Sequence, residues 1–253
     1  MNWLLLRGLG REQRHWGKFE DILRQQEYVD EVLCIDLPGF GDHRADEAPL
    51  TIEETTEYLR TKFLDQIDES KQWGLCAISL GGMIGMDWLA RFPKDFAVAT
   101  LLNTSAANYS APWKRFKAYN FIHPHILKER AFGPKEIERM ILSTISNKHS
   151  HNNGVIEEWT EIRINRPYDP VNVARQLAGA AIFQAKPERI HVPTLFLCSA
   201  QDRLVDCSCT LNLAKDFKDG YIHIHPTAGH EITLDEPEWV CEKMKLRFAN
   251  ASV

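Results

Sequence analysis

The stretch Ala77-Ile78-Ser79-Leu80-Gly81 constrains this chain more than any other. Trp73 to Ala77 is an apolar run of strand length, and Gly82-Met83-Ile84-Gly85-Met86 reads as the first turn of a helix. A serine at so abrupt a strand-to-helix reversal is held in a strained backbone, with its hydroxyl projecting from the C-terminal edge of a sheet. Small neighbours are needed because the strand and the following helix approach closely. The pattern is G-x-S-x-G with Ala77 at its first position, a change of one methyl.

Two distant residues give that serine partners. Asp202 follows the apolar run Val192-Pro193-Thr194-Leu195-Phe196-Leu197-Cys198, and His230 follows the strand-like run Tyr221-Ile222-His223-Ile224-His225. Loops that leave the same edge of a parallel sheet can bring such residues together. Ser79 is the candidate nucleophile, inert until a base removes its proton. His230 is the candidate base, because an imidazole titrates near neutrality. Asp202 would hold the other ring nitrogen and fix the tautomer. His223 and His225 are rival bases, but they lie within a strand and not in the loop after it. Asp206 reads as a helix cap.

The order Ser, Asp, His, each just past a strand, resembles that of the α/β-hydrolase superfamily. Ile35-Asp36-Leu37-Pro38-Gly39-Phe40-Gly41 is similar to that family's D-x-P-G-x-G loop, and Leu4-Leu5-Leu6-Arg7-Gly8-Leu9-Gly10 sits where members carry H-G before the oxyanion hole. The nearest likeness is to single-domain carboxylesterases that cleave the methyl ester of pimeloyl carrier protein. The resemblance implies a serine hydrolase whose oxyanion hole is made by the backbone N–H groups of Leu9 and Leu80. Such donors, aimed at a tetrahedral intermediate, each lower a barrier by a few kcal/mol, roughly. Arg7 departs from the usual histidine, which leaves two roles open: support of the loop, or a hold on an anionic substrate group. Some relatives carry the triad acid after the fourth strand. Here that place is Asn103, so Asp202 takes the role.

Six strand candidates appear: Trp3–Leu6, Glu31–Ile35, Trp73–Ala77, Val98–Leu102, Val192–Cys198 and Tyr221–His225. Helical segments separate most of them, as in βαβ units. Thr51-Ile52-Glu53-Glu54 is a capping box before Leu59, Phe63 and Ile67, and Pro237 precedes Val240, Met244 and Phe248 at four-residue intervals. The family's two further N-terminal strands have no room, so the expected fold class is α/β: an α/β-hydrolase fold with a trimmed, mainly six-stranded parallel sheet and flanking helices. Residues 107 to 190 lack a strand and hold helix signals at Gly133-Pro134, Val155 to Ile162 and Asn172 to Ala185. The expected organisation is a core of residues 1–106 and 191–253, with an all-helical cap of 107–190 inserted in it.

Charge divides along the same line. Residues 107–190 carry 13 Lys and Arg against 8 Asp and Glu, net +5, while the rest is net −10. The overall −5 gives no reason to expect nucleic acid. Trp3-Leu4-Leu5-Leu6 is too short for a signal-peptide core or a membrane span. The six cysteines read as buried thiols of a reducing compartment, which makes the cytoplasm the expected location. Gly8-Leu9-Gly10 imitates a dinucleotide fingerprint, but Gln13 stands at the third glycine position, so no NAD and no other cofactor is expected. His123-Pro124-His125, His149-Ser150-His151 and His223-Ile224-His225 lack the spacing of a zinc site, and no metal is expected.

The expected activity is a serine carboxylesterase acting on small or medium acyl esters through an acyl-enzyme. A thioesterase or carrier-linked acyl ester hydrolase is the alternative, with the basic cap and an acidic acyl carrier as its partner. From another class comes a non-catalytic hydrolase-fold ligand-binding protein.

Overall fold

The six apolar runs pair as one wholly parallel sheet in the order β2-β1-β3-β4-β5-β6. The strands are β1 (Asn2–Leu6), β2 (Val32–Cys34), β3 (Trp73–Ile78), β4 (Val98–Leu102), β5 (Thr194–Ser199) and β6 (Gly220–His225). The computed structural model describes residues 1–117 and 133–248. β5 begins two residues later than its apolar run, because Pro193 has no N–H to give the ladder.

Alternate side chains of each strand serve opposite faces, as the two-residue period requires. Leu4, Leu6, Leu75, Ala77, Ala99 and Leu101 pack with the helices α2 (Ile52–Leu64) and α3 (Leu80–Arg91). Trp3, Leu5, Cys76, Ile78 and Leu102 pack on the other face with α1 (Lys18–Arg24) and α10 (Pro237–Phe248). Strands buried on both sides explain why the sequence shows continuous apolar runs and little alternation. Thr51 caps α2 by accepting the Glu54 N–H at 3.2 Å.

Between β4 and β5 the described residues form helices and no strand: α4 (Pro112–Arg115), α5 (Pro134–Ile145), α6 (Asn153–Asn165) and α7 (Pro170–Ile182). Leu142 and Ile145 of α5 and Ile156, Trp159 and Ile162 of α6 meet Leu204 and Val205 in the loop after β5, which makes a third apolar cluster. Helices α8 (Cys207–Ala214) and α9 (Ile232–Asp235) lie before and after β6 in the chain.

The chain runs outward from β1 to β2 and then returns to β3 on the other side of β1. A crevice opens where strand order reverses in this way, at the carboxyl ends of the two strands. The loop after β1 and the turn carrying Ser79 are the walls of that crevice. No helix among the described residues is long and apolar enough to cross a membrane.

Candidate active site

Ser79 stands between β3 and α3 with φ 56° and ψ −115°, a left-handed backbone that few residues other than glycine adopt. Its N–H donates to Leu102 O at 2.8 Å, and its carbonyl accepts the Thr104 hydroxyl at 2.8 Å, so the end of β4 and the segment after it fix the turn from both sides. Small residues allow the reversal. A Cβ on Gly81 would lie 2.5 Å from Leu6 O and 2.6 Å from Arg7 O, inside any tolerable contact. The strain is of the kind found where a side chain is held for function.

The loop after β1 lies directly against the serine. A Cβ on Gly8 would approach Ser79 Cβ to 3.2 Å and its Oγ to 3.7 Å. Arg11 N–H closes the turn onto Gly8 O at 3.3 Å, with Gly10 at φ +64° between them. Leu9 lies inside that turn. Leu80 is the first residue of α3, where backbone N–H groups have no carbonyl four residues back to accept them.

Asp202 and His230 meet. Imidazole Nδ1 and carboxylate Oδ2 are 2.7 Å apart, and both residues are buried. The other carboxylate oxygen accepts the N–H groups of Leu204 at 2.7 Å and Val205 at 2.9 Å, which locks the rotamer. Burial alone would push the His230 pKa down, but the Asp202 charge and hydrogen bond outweigh it and hold it above the ordinary histidine value. Asp206 caps α8 by accepting the Ser208 N–H at 3.1 Å. His225 Nδ1 takes the Ala228 N–H at 3.0 Å, while the ring stacks edge-on against Trp239.

Two residues to which the sequence assigned no positioning role hold the His230 loop. Asn103, at φ 44°, donates through Nδ2 to His230 O at 2.7 Å and accepts Ser199 N–H at 2.9 Å, so it ties the histidine loop to the ends of β4 and β5. Glu231 receives both terminal nitrogens of Arg7, at 2.9 and 2.6 Å, in a fully buried pair. The Arg7 guanidinium also lies 4.5 Å over the Trp16 ring. Of the two roles open for Arg7, the geometry is that of loop support. Burial favours a protonated Glu231, yet Arg7 and the Thr233 hydroxyl hold its pKa below the usual value.

The basic cluster at residues 114–117 divides. Arg115 is buried, its guanidinium on the carbonyls of Ala180 and Ala181, and Lys117 donates to Asp202 O at 3.0 Å and pairs with Asp206. Lys114 alone of the three is exposed. His123 and His125 fall outside the described residues. Among the described residues, no three His, Cys, Asp or Glu side chains gather as a metal would require.

A profile described as "Alpha/beta hydrolase family" matches residues 3–243. Among characterised proteins the chain is similar to monoacylglycerol lipase ABHD6 of Bos taurus, 20% identical over 244 residues, spanning 92% of this chain and 71% of that protein. The solved enol-lactonase from Burkholderia xenovorans LB400 aligns with TM-score 0.77 at 19% identity, covering 98% of this chain and 91% of that one. A thermophilic esterase from Thermogutta terrifontis aligns with TM-score 0.73 at 20% identity, covering 100% and 91%.

Proposed function

The chain belongs to the alpha/beta hydrolase family, and from that premise we propose that it is a serine carboxylesterase acting on small or medium acyl esters. Ser79 attacks the ester carbonyl while His230 takes its proton. The backbone N–H groups of Leu9 and Leu80 receive the charge on the carbonyl oxygen. His230 then returns the proton to the departing alcohol, and water releases the acyl group by the same steps in reverse order. Asp202 keeps Nδ1 protonated so that Nε2 is free to act as base.

The observation that carries this reading is the 2.7 Å contact between His230 and Asp202, buried and locked by two further amides. The strained serine turn at the strand-order reversal, with Gly8 against it, supports the nucleophile. Lipase and esterase relatives support ester substrates as a class. In the same proposal residues 107–190 form the cap over a core of 1–106 and 191–253, and the acyl chain lies between them. The same proposal keeps the cytoplasm as its setting. The carrier-linked reading draws less support, because two of its three clustered cations turn inward.

A panel of p-nitrophenyl esters of graded chain length, run on wild type and Ser79→Ala, tests the proposal. Turnover should peak at short or medium chains and vanish in the variant. Tight binding of esters without turnover would instead favour a ligand-binding protein.

A further inference from the structure

Helices between β4 and β5 grip the turn Gly8–Arg11 at two points. Gln176 of α7 accepts the Gly10 N–H through Oε1 at 3.0 Å. Glu138 of α5 accepts Arg11 Nη1 at 2.8 Å, its other oxygen takes Arg163 Nε at 2.6 Å, and the Arg11 guanidinium sits 4.3 Å over the Trp159 ring of α6. Gln176, Glu138 and Arg11 are all buried. The turn itself has one internal hydrogen bond of 3.3 Å and a left-handed glycine at its centre, so it has little of its own to fix where its amides point.

The Gln176 amide has only one sensible orientation here. Gly10 N–H can only donate, so Oε1 must face it. Nε2 is then left buried with no partner among the described residues. An apolar side chain of equal length would avoid that desolvation cost. Packing therefore gives no reason for a glutamine at this position, and the contact to Gly10 does.

We infer that Gln176 is a positioning residue of the oxyanion turn: by holding Gly10 N–H it aims the adjacent Leu9 amide at the carbonyl oxygen where charge develops. The inference rests on the proposed roles of Ser79, Leu9 and Leu80. Preorganised donors act on the transition state more than on bound substrate. Misaiming one therefore lowers kcat and leaves KM nearly alone.

The test is Gln176→Met, which keeps length and removes the acceptor. With p-nitrophenyl butyrate, kcat should fall about ten-fold or more with KM within about two-fold. Affinity for a trifluoromethyl ketone, whose hemiketal alkoxide occupies the oxyanion position, should fall by the same factor as kcat/KM. The number of sites titrated by a fluorophosphonate should stay at one per chain, and Tm should hold, which a merely structural role would not predict. If Gln176→Met fails to fold, Gln176→Asn, which withdraws the amide by one methylene, should show the same split on a smaller scale. Wild-type kcat and ketone affinity in these variants, or a loss confined to KM, would overturn the inference alone. A wild-type protein that neither hydrolyses esters nor takes the fluorophosphonate would instead overturn the esterase reading on which it stands.

Discussion

Arg7 and Glu231 are 224 positions apart in the chain, yet they form a two-pronged buried ion pair that joins the end of β1 to the residue after His230. The pair thus couples the loop on one side of Ser79 to the loop carrying the candidate base. Removing one member leaves an uncompensated charge in the interior, which costs about 3–5 kcal/mol, whereas replacing both with apolar residues is often near neutral. Arg7→Met and Glu231→Leu should each destabilise by about that amount in urea unfolding, and the double variant by much less than their sum. Additive losses would mean that the two charges do not depend on each other.

The same pair sets an acid limit. A carboxyl whose folded pKa lies below its ordinary 4.5 contributes stability above that value and loses it as pH falls through the folded pKa. Wild type should therefore lose stability below about pH 4.5, and Glu231→Gln should lose less over that window while starting lower at neutral pH. Parallel curves for the two proteins would place the acid sensitivity elsewhere.

His230 must be neutral to accept a proton, and its pKa is raised. The acid limb of kcat/KM should then have its midpoint above the ordinary histidine value of about 6.5. Asp202→Asn removes the largest raising influence and leaves burial opposed only by the Glu231 charge, so the midpoint should move to lower pH while turnover drops on the order of 10³–10⁴-fold. Asp206→Asn, a change at a helix cap, should cost at most about 1 kcal/mol of stability and little activity. A crippled Asp206→Asn beside a nearly normal Asp202→Asn would reverse the assignment.

With Arg115 and Lys117 engaged inside the fold, only Lys114 of that cluster is left to steer an anionic partner. Raising ionic strength shortens the range of steering to about 8 Å at physiological salt. Neutral and carboxylate-bearing esters should accordingly show nearly equal salt dependence of kcat/KM. A steep loss confined to the charged or carrier-linked esters would revive a basic docking surface.

What could be read from the chain and what could not divides by the kind of signal. The four inner strands were legible because burial on both faces leaves apolar runs, the half-exposed edge strands β2 and β6 by their spacing between helices, and Ser79, Asp202 and His230 because each stands just past a strand. Asn103 showed in the sequence only as a missing carboxylate, since a side chain's role in holding another loop's backbone leaves no pattern of spacing. Arg7 read as a departure from the usual residue, with nothing to point to Glu231. Gln176 and Glu138 lie on helices whose apolar period tells which face is buried, but not which polar residue on that face reaches across to the turn after β1. Polar contacts between distant segments depend on tertiary placement, and periodicity does not encode it.

Covalent chemistry at Ser79 is the claim on which the account depends most. A fluorophosphonate probe reacts with a serine hydroxyl only where a base activates it and donors receive the phosphoryl oxygen. Intact-mass analysis of the wild-type protein should show a single adduct, peptide mapping should place it on Ser79, and Ser79→Ala should remain unlabelled. No adduct on folded wild type, or labelling that persists unchanged in Ser79→Ala, would contradict the account.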